Sequence, residues 1–259
     1  MTASAPAYKL YELVAHVDRR EEQTSHSFFV LRSKLDLALL GIPYERVPLA
    51  FAQIKPTLAA AGPDVTVPTL ATGDGTLVVD SFKIAEYLED KHATKDRYLF
   101  GSADARRFAR FVQKWADKAL LVALIPLVAP LFVAHNDEES ERYFTERIFN
   151  PEAVARMTAD LKDADKVKAQ AAAARQVLRV VELYLAASEG RFLLGDVPTH
   201  ADNVVASYYF SSQVNPALNA LVWEHAELPR VAQWIKDFKQ VTGFTVSFPP
   251  PPAGVVADL

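Results

Sequence analysis

Lys9 to Val14 reads as a first strand, and Pro43 to Leu49 (P-Y-E-R-V-P-L) as a second. Between them Phe28, Leu31, Leu35, Ala38 and Leu39 recur at helical spacing, and Gly41 sits where a helix C-terminus favours glycine. Two strands joined by a helix lie parallel, so this stretch is a βαβ unit. Residues 51–62 are weakly helical and end in Ala-Ala-Gly-Pro. Two short strands then flank Gly73-Asp74-Gly75, whose residue types suit a hairpin turn. A helix from Phe82, with Ile84, Ala85 and Leu88 turned inward, closes the unit.

The order βαβ, α, ββα is a thioredoxin-like arrangement. From Ser102 strand signals vanish: 105–118, 119–134, 138–149, 151–187, 201–214 and 229–241 all read as helical. The expected fold class is an α/β thioredoxin-like domain over 1–98 followed by an all-α domain over 99–259. The tail, Phe248 followed by four prolines, Ala and Gly, cannot be helix and is expected to run extended over the surface. Ala119 to Ala134 is uncharged, but it falls short of the roughly 20 residues of a membrane span. It also contains Pro126 and Pro130, so it reads as a buried, kinked helix.

Composition narrows the chemistry. Half of the 259 residues are hydrophobic, enough for a sizeable core. A formal charge of −4 gives no electrostatic case for nucleic acid or an anionic membrane surface. There is no cysteine, which removes disulfides, thiolate zinc sites and a cysteine nucleophile together. Any reactive thiol must therefore come from a ligand. The six histidines lack metal-ligand spacing, so no metal is expected. The N-terminus carries neither a basic nor an apolar leader pattern, and the expected location is the cytoplasm.

Three stretches carry candidate chemistry. Val67-Pro68 precedes a strand; a cis bond there would turn the Val67 peptide groups outward, where a peptide ligand can pair with them. The bland alternative is a trans proline at an edge strand. Asp80-Ser81 opens a helix and serves as a cap. Free N–H groups there also suit a carboxylate, and Asp80 suits an ammonium group; a γ-glutamyl group carries both. In Gln23-Thr24-Ser25-His26-Ser27-Phe28, a hydroxyl at a helix N-terminus can donate to a sulfur and favour thiolate over thiol. Ser27 is the first choice and Ser25 the alternative. His26, a lone loop histidine, is expected to face solvent. Thr199 and Asp202 have capping spacing and a structural role. Phe28, Phe108, Trp115 and Tyr208 are candidates for an apolar acceptor pocket, although aromatic residues at helical spacing are mostly core.

With V-P-T-L and D-S in place, then L-L-G-D-V-P-T-H-A-D-N in the helical half, the chain resembles a cytosolic glutathione transferase over its whole length. Within that family it looks like the fungal etherase-like, serine-type branch, similar to bacterial β-etherases. That finer likeness rests on Ser27 ahead of L-R-S-K-L-D-L-A-L-L-G-I-P-Y-E and on the insertion E-R-Y-F-T-E-R, Glu141 to Arg147. Phe28 stands where a proline often follows the catalytic serine, and the charged stretch Arg19 to Gln23 is a second departure. The resemblance implies that Val67 pairs with the cysteinyl backbone of glutathione, Asp80 and Ser81 hold its γ-glutamyl end, and Ser27 stabilises its thiolate. Gln53 or Lys55 would reach the glycyl carboxylate. It implies glutathione as cosubstrate, hydrophobic aromatic electrophiles as partners, and a homodimer. Peroxide reduction and aryl-ether cleavage are further activities of such a site. The alternative is a carrier of hydrophobic aromatic molecules with little or no catalysis.

Overall fold

The computed structural model describes residues 7–16, 23–251 and 253–257. The charged stretch 18–22 lies outside the described residues. Four strands form one sheet: β1 (Lys9–Leu13), β2 (Glu45–Leu49), β3 (Thr69–Ala71) and β4 (Leu77–Val79), in the order β2-β1-β3-β4. β1 and β2 are parallel, Leu10 facing Arg46; β3 runs antiparallel to β1, Leu10 facing Leu70, and β4 antiparallel to β3. Successive strand side chains point to opposite faces, and the burial follows. Leu10 and Leu70 pack with α1 (Phe28–Leu40) and α3 (Ser81–His92), whereas Leu13 and Leu49 pack with Ile54 and Leu58 around α2 (Phe51–Thr57).

α1 departs from the one-sided helix that its spacing predicts. It is covered by the sheet domain on one side and by α9 (His200–Ser212) on the other, so its charged residues are buried as well. Each is answered, as buried charge requires. Arg32 donates to Asp117 at 2.5 Å and to the Tyr208 hydroxyl at 2.8 Å. Lys34 donates to the buried Glu12 at 2.7 Å, and Asp36 accepts from His200 Nδ1 at 2.8 Å and Asn203 Nδ2 at 2.7 Å. Burial pushes the Lys34 ammonium down from its usual value, against the upward pull of Glu12. These pairs bind α1 to both domains.

The remainder is helical. α4 (Ala103–Trp115) and α5 (Leu121–His135) are one continuous helix of 33 residues, joined through a π turn at Ala116–Leu120. The length argument against a membrane span, made on 119–134 alone, therefore falls. By length and composition this helix could cross a membrane, but α5 packs against α7 (Pro151–Leu161) and α8 (Ala164–Ala187), and half of its apolar window is buried within the protein. The single helix expected over 151–187 is these two, because Asp163 caps α8 by accepting from the N–H groups of Asp165 and Lys166. The insertion forms α6 (Glu138–Tyr143) and a π turn at Phe144–Ile148; Tyr143 stacks on Phe51 of α2 at 5.4 Å.

α9 is buried throughout. Its Asp202 accepts from the N–H groups of Thr199 and Leu193 and from Trp234 on α10 (Pro229–Thr242), each at 2.9 Å. The Thr199 hydroxyl also donates to Asp202, so the structural role expected of this pair holds. Burial pushes the Asp202 carboxyl up from its usual value even so. After α10 the chain runs extended: Phe244, Val246 and Phe248 pack on the core, and the Ala257 N–H reaches the Leu161 carbonyl at 2.9 Å.

Candidate active site

Strand register decides which candidates share one end of the sheet. Thr69 faces Tyr11 on β1 and Val79 on β4. Carrying that register two residues further sets Val67 level with Leu13 and Ser81. The end of β1, which leads to Ser27, the residue before β3 and the start of α3 thus lie along one edge. Gln53 and Lys55 sit on α2, packed over the same sheet.

The Val67–Pro68 bond is cis. Neither peptide group of Val67 is engaged by another of the described residues. Asp80 is the one described non-glycine residue with positive φ, at 88°, a sparsely populated conformation. Its Oδ1 caps α3 by accepting from Phe82 N–H at 3.0 Å and Lys83 N–H at 3.1 Å. Ser81 is 2% exposed, and neither its N–H nor its hydroxyl has a partner among the described residues. A helix N-terminus with a free N–H, a free hydroxyl and a neighbouring carboxylate suits a group bearing both charges. Gln53 Oε1 is engaged with Ala50 N–H at 3.1 Å, leaving its NH₂ free, and Lys55 is exposed.

Ser27 caps α1 in extended conformation. Its Oγ accepts from Val30 N–H at a long 3.4 Å, and its own hydrogen has no acceptor among the described residues. No acidic side chain occupies the first turn, so nothing neutralises the positive end of the helix. Ser25 is fully buried, and its Oγ is committed to the Ser27 N–H at 3.3 Å. Accessibility thus separates two hydroxyls that sequence position leaves open. The loop is held from below: Gln23 Oε1 accepts from Ala15 and His16 N–H at 3.0 Å each, while Arg46 donates to the Gln23 carbonyl at 2.6 Å and to Glu12.

The aromatic candidates land elsewhere. A pocket of about 260 Å³ opens beside this loop, lined by Ala15, residues 23, 24 and 26, Phe132 and His135 of α5, Val214, and residues 247–249 of the tail. Phe28, Phe108, Trp115 and Tyr208 do not line it. Phe28 and Tyr208 pack on each other in the core at 4.7 Å, and burial pushes the Tyr208 phenol well above its usual value. Phe108 stacks on Tyr184 of α8 at 5.6 Å, and Trp115 packs partly buried against the core. Apolar area at helical spacing is used for packing first, which accounts for all four. His26 is a second correction: it is 5% exposed and stacks on Phe132 at 4.6 Å. Burial, then repulsion from His135, lowers its pKa to about 4, so it is neutral near pH 7. Nothing in the sequence pattern joins His26 to Val214 or Phe248; only the inability of the tail to form helix hinted that it would cover something. A second pocket, of about 520 Å³, opens at the other end of α1 near Gly41 and Arg97, away from every candidate. No group of metal-ligating side chains occurs among the described residues.

Residues 26–91 match the model of the glutathione S-transferase N-terminal domain, and residues 108–240 that of the C-terminal domain. A search of curated proteins returns no match. Among solved structures, the chain is similar to a glutathione S-transferase of Ceriporiopsis subvermispora in complex with glutathione. There the TM-score is 0.73 at 17% identity, covering 93% of this chain and 99% of that one. Glutathione transferase GSTFuA3 of Phanerochaete chrysosporium gives 0.73 at 18%, covering 95% and 100%. A glutathione S-transferase of Pseudomonas fluorescens gives 0.57 at 18%, covering 90% and 94%. Identities this low show the shared fold alone.

Proposed function

The chain belongs to the glutathione S-transferase family, and on that premise we propose that it is a serine-type transferase presenting the glutathione thiolate to hydrophobic aromatic electrophiles. The observation that carries this reading is Ser27: a half-buried hydroxyl that caps the N-terminus of α1, the helix that follows β1. The Val67 peptide groups pair with the cysteinyl backbone of glutathione. The Ser81 N–H and hydroxyl donate to the γ-glutamyl carboxylate while Asp80 takes its ammonium, and Gln53 or Lys55 meets the glycyl carboxylate. The sulfur then lies at the α1 N-terminus, where the Ser27 O–H and the helix end stabilise thiolate over thiol. Without cysteine in the chain, the ligand's sulfur is the nucleophile and glutathione is consumed.

The likeness to GSTFuA3 and the 141–147 insertion packed on α2 support placement near the fungal etherase-like branch, with aryl-ether cleavage or peroxide reduction as further activities. Phe111 and Val122, exposed at 68% and 65% on the long helix, favour a homodimer. Steady-state kinetics with a chromogenic aryl halide test the assignment. Ser27→Ala is expected to lower kcat/KM by roughly 100-fold, the effect of removing one donor to a developing anion. An unchanged value removes Ser27 from the mechanism. The aromatic lining of the 260 Å³ pocket favours a second reading, a carrier of aromatic molecules. Tight aromatic binding that persists unmodified with glutathione present would select it.

A further inference from the structure

α2, which carries Gln53 and Lys55, is poorly equipped to hold itself. It has seven residues, well short of the roughly 12–15 at which a helix begins to stand alone in water. Ala50 supplies no side-chain cap, no acidic side chain occupies the first turn, and Pro56 removes one N–H from the helix. Ile54 is its one buried residue, and with Leu58 it fixes one face against the sheet. The other hold is Phe51. Among the described residues it is the one partly buried apolar side chain packed against both hydrophobic clusters. Tyr143 of the insertion stacks on it at 5.4 Å with 18° between the ring planes, and Phe144 meets it edge-on at 5.6 Å and 61°.

Adjacent residues of a helix project about 100° apart, so Tyr143 and Phe144, where α6 passes into its π turn, hold one ring from two sides. Phe144 is itself buried and packs on Phe149 at 5.2 Å, which ties the hold to the helical domain. Phe51 and Lys55 are four residues apart and share a face of α2. With Ile54 on the sheet and Phe51 between the two rings, α2 is fixed about its own axis, and with it the directions of Gln53 and Lys55. We propose that Tyr143 and Phe144 are positioning residues for the glycyl end of glutathione, acting through Phe51 on α2. This rests on the transferase reading, which puts the glycyl carboxylate at Gln53 or Lys55. It adds that affinity for the tripeptide depends on aromatic contacts made by the second domain, not on the first domain alone.

Calorimetric titration of the full chain with glutathione and with γ-glutamylcysteine, which lacks the glycine, tests this. Tyr143→Ala is expected to weaken glutathione about tenfold, the worth of one charge-assisted contact, and γ-glutamylcysteine less than about twofold. Tyr143→Phe keeps the ring and should bind both as the unsubstituted protein does. In steady-state kinetics Tyr143→Ala should raise the KM for glutathione about tenfold and leave kcat unchanged, because the sulfur is held at α1. Amide hydrogen exchange of α2 should quicken in Tyr143→Ala and not in Tyr143→Phe, a readout that needs no ligand. Phe51→Ala combined with Tyr143→Ala should weaken glutathione no more than Phe51→Ala alone, since both remove one contact. Equal weakening of the two peptides, a loss of kcat with KM unchanged, or glutathione affinity that survives Tyr143→Ala would overturn the proposal. Failure of the unsubstituted protein to bind either peptide is a different result: it removes the transferase reading, and the glycyl role with it.

Discussion

The proposed glutathione side draws largely on main-chain groups of the first domain, the Val67 peptide, the Ser81 N–H and the N-terminus of α1, with the neighbouring Ser27, Asp80 and Ser81 side chains. The 260 Å³ pocket, the proposed acceptor side, draws on residues brought together from the 23–26 loop, α5, the segment after α9 and the tail after α10. The first, its glycyl end on α2 apart, needs only one small domain to fold in register. The second exists only once both domains are docked, so it depends on the contacts that hold α1 against α9. A ligand common to a whole family can be met by backbone, whereas discrimination among ligands is left to side chains from distant segments.

Weakening the docking should strike the acceptor side hardest. Asp36→Ala leaves His200 Nδ1 and Asn203 Nδ2 buried without their acceptor and is expected to cost about 3 kcal/mol, read by urea unfolding. A change below about 1 kcal/mol would show that α1 and α9 are held by other contacts.

The next effect is a pH dependence that belongs to one side only. The folded protein holds His26 near pKa 4 against an ordinary 6.5. Between those values the unfolded chain binds a proton that the folded protein refuses, so stability falls as pH falls through this window. His26 alone contributes a loss of roughly 2–3 kcal/mol between pH 7.5 and 4.5. The difference in unfolding free energy between wild type and His26→Phe should move by that amount; a parallel dependence in both proteins would contradict it.

Asp80→Gly separates binding from folding on the glutathione side. Glycine accepts the positive φ of 88° without strain and loses only a few tenths of a kcal/mol as a cap, so the melting temperature should hardly move. The Kd for glutathione should rise about tenfold or more through loss of a charge-assisted contact. A wild-type Kd would remove Asp80 from the site. The smallest effect is expected from Phe248→Ala, a half-buried tail residue: under about 1 kcal/mol of stability, with several-fold weaker binding of 2-naphthol. If glutathione affinity changed with it, the two sides would not be separable.

Much of the first domain was legible residue by residue. Strand composition, helical spacing and turn residues placed β1, α1, the Gly73–Gly75 turn and α3, and turn and cap chemistry marked Val67-Pro68 and Asp80-Ser81. Local forces create these features, so local sequence reports them. The same method misread His26 as exposed and could not say that Phe28 and Tyr208 pack on each other in the core. Exposure depends on what else folds over a residue, and periodicity cannot say whether a helix is covered on one side or two.

The sequence by itself determined the domain order, the elements that carry the candidate site, and the absence of any thiol of the protein's own. Those follow from spacing, capping and composition, which act over a few residues. Only the tertiary structure shows that the Ser27 hydroxyl keeps some access while Ser25 is fully buried, its Oγ accepting from the Ser27 N–H. It alone joined α4 and α5 into one helix and set the tail and α5 around His26. Burial and long-range packing made those choices, and they act between residues that no local pattern connects.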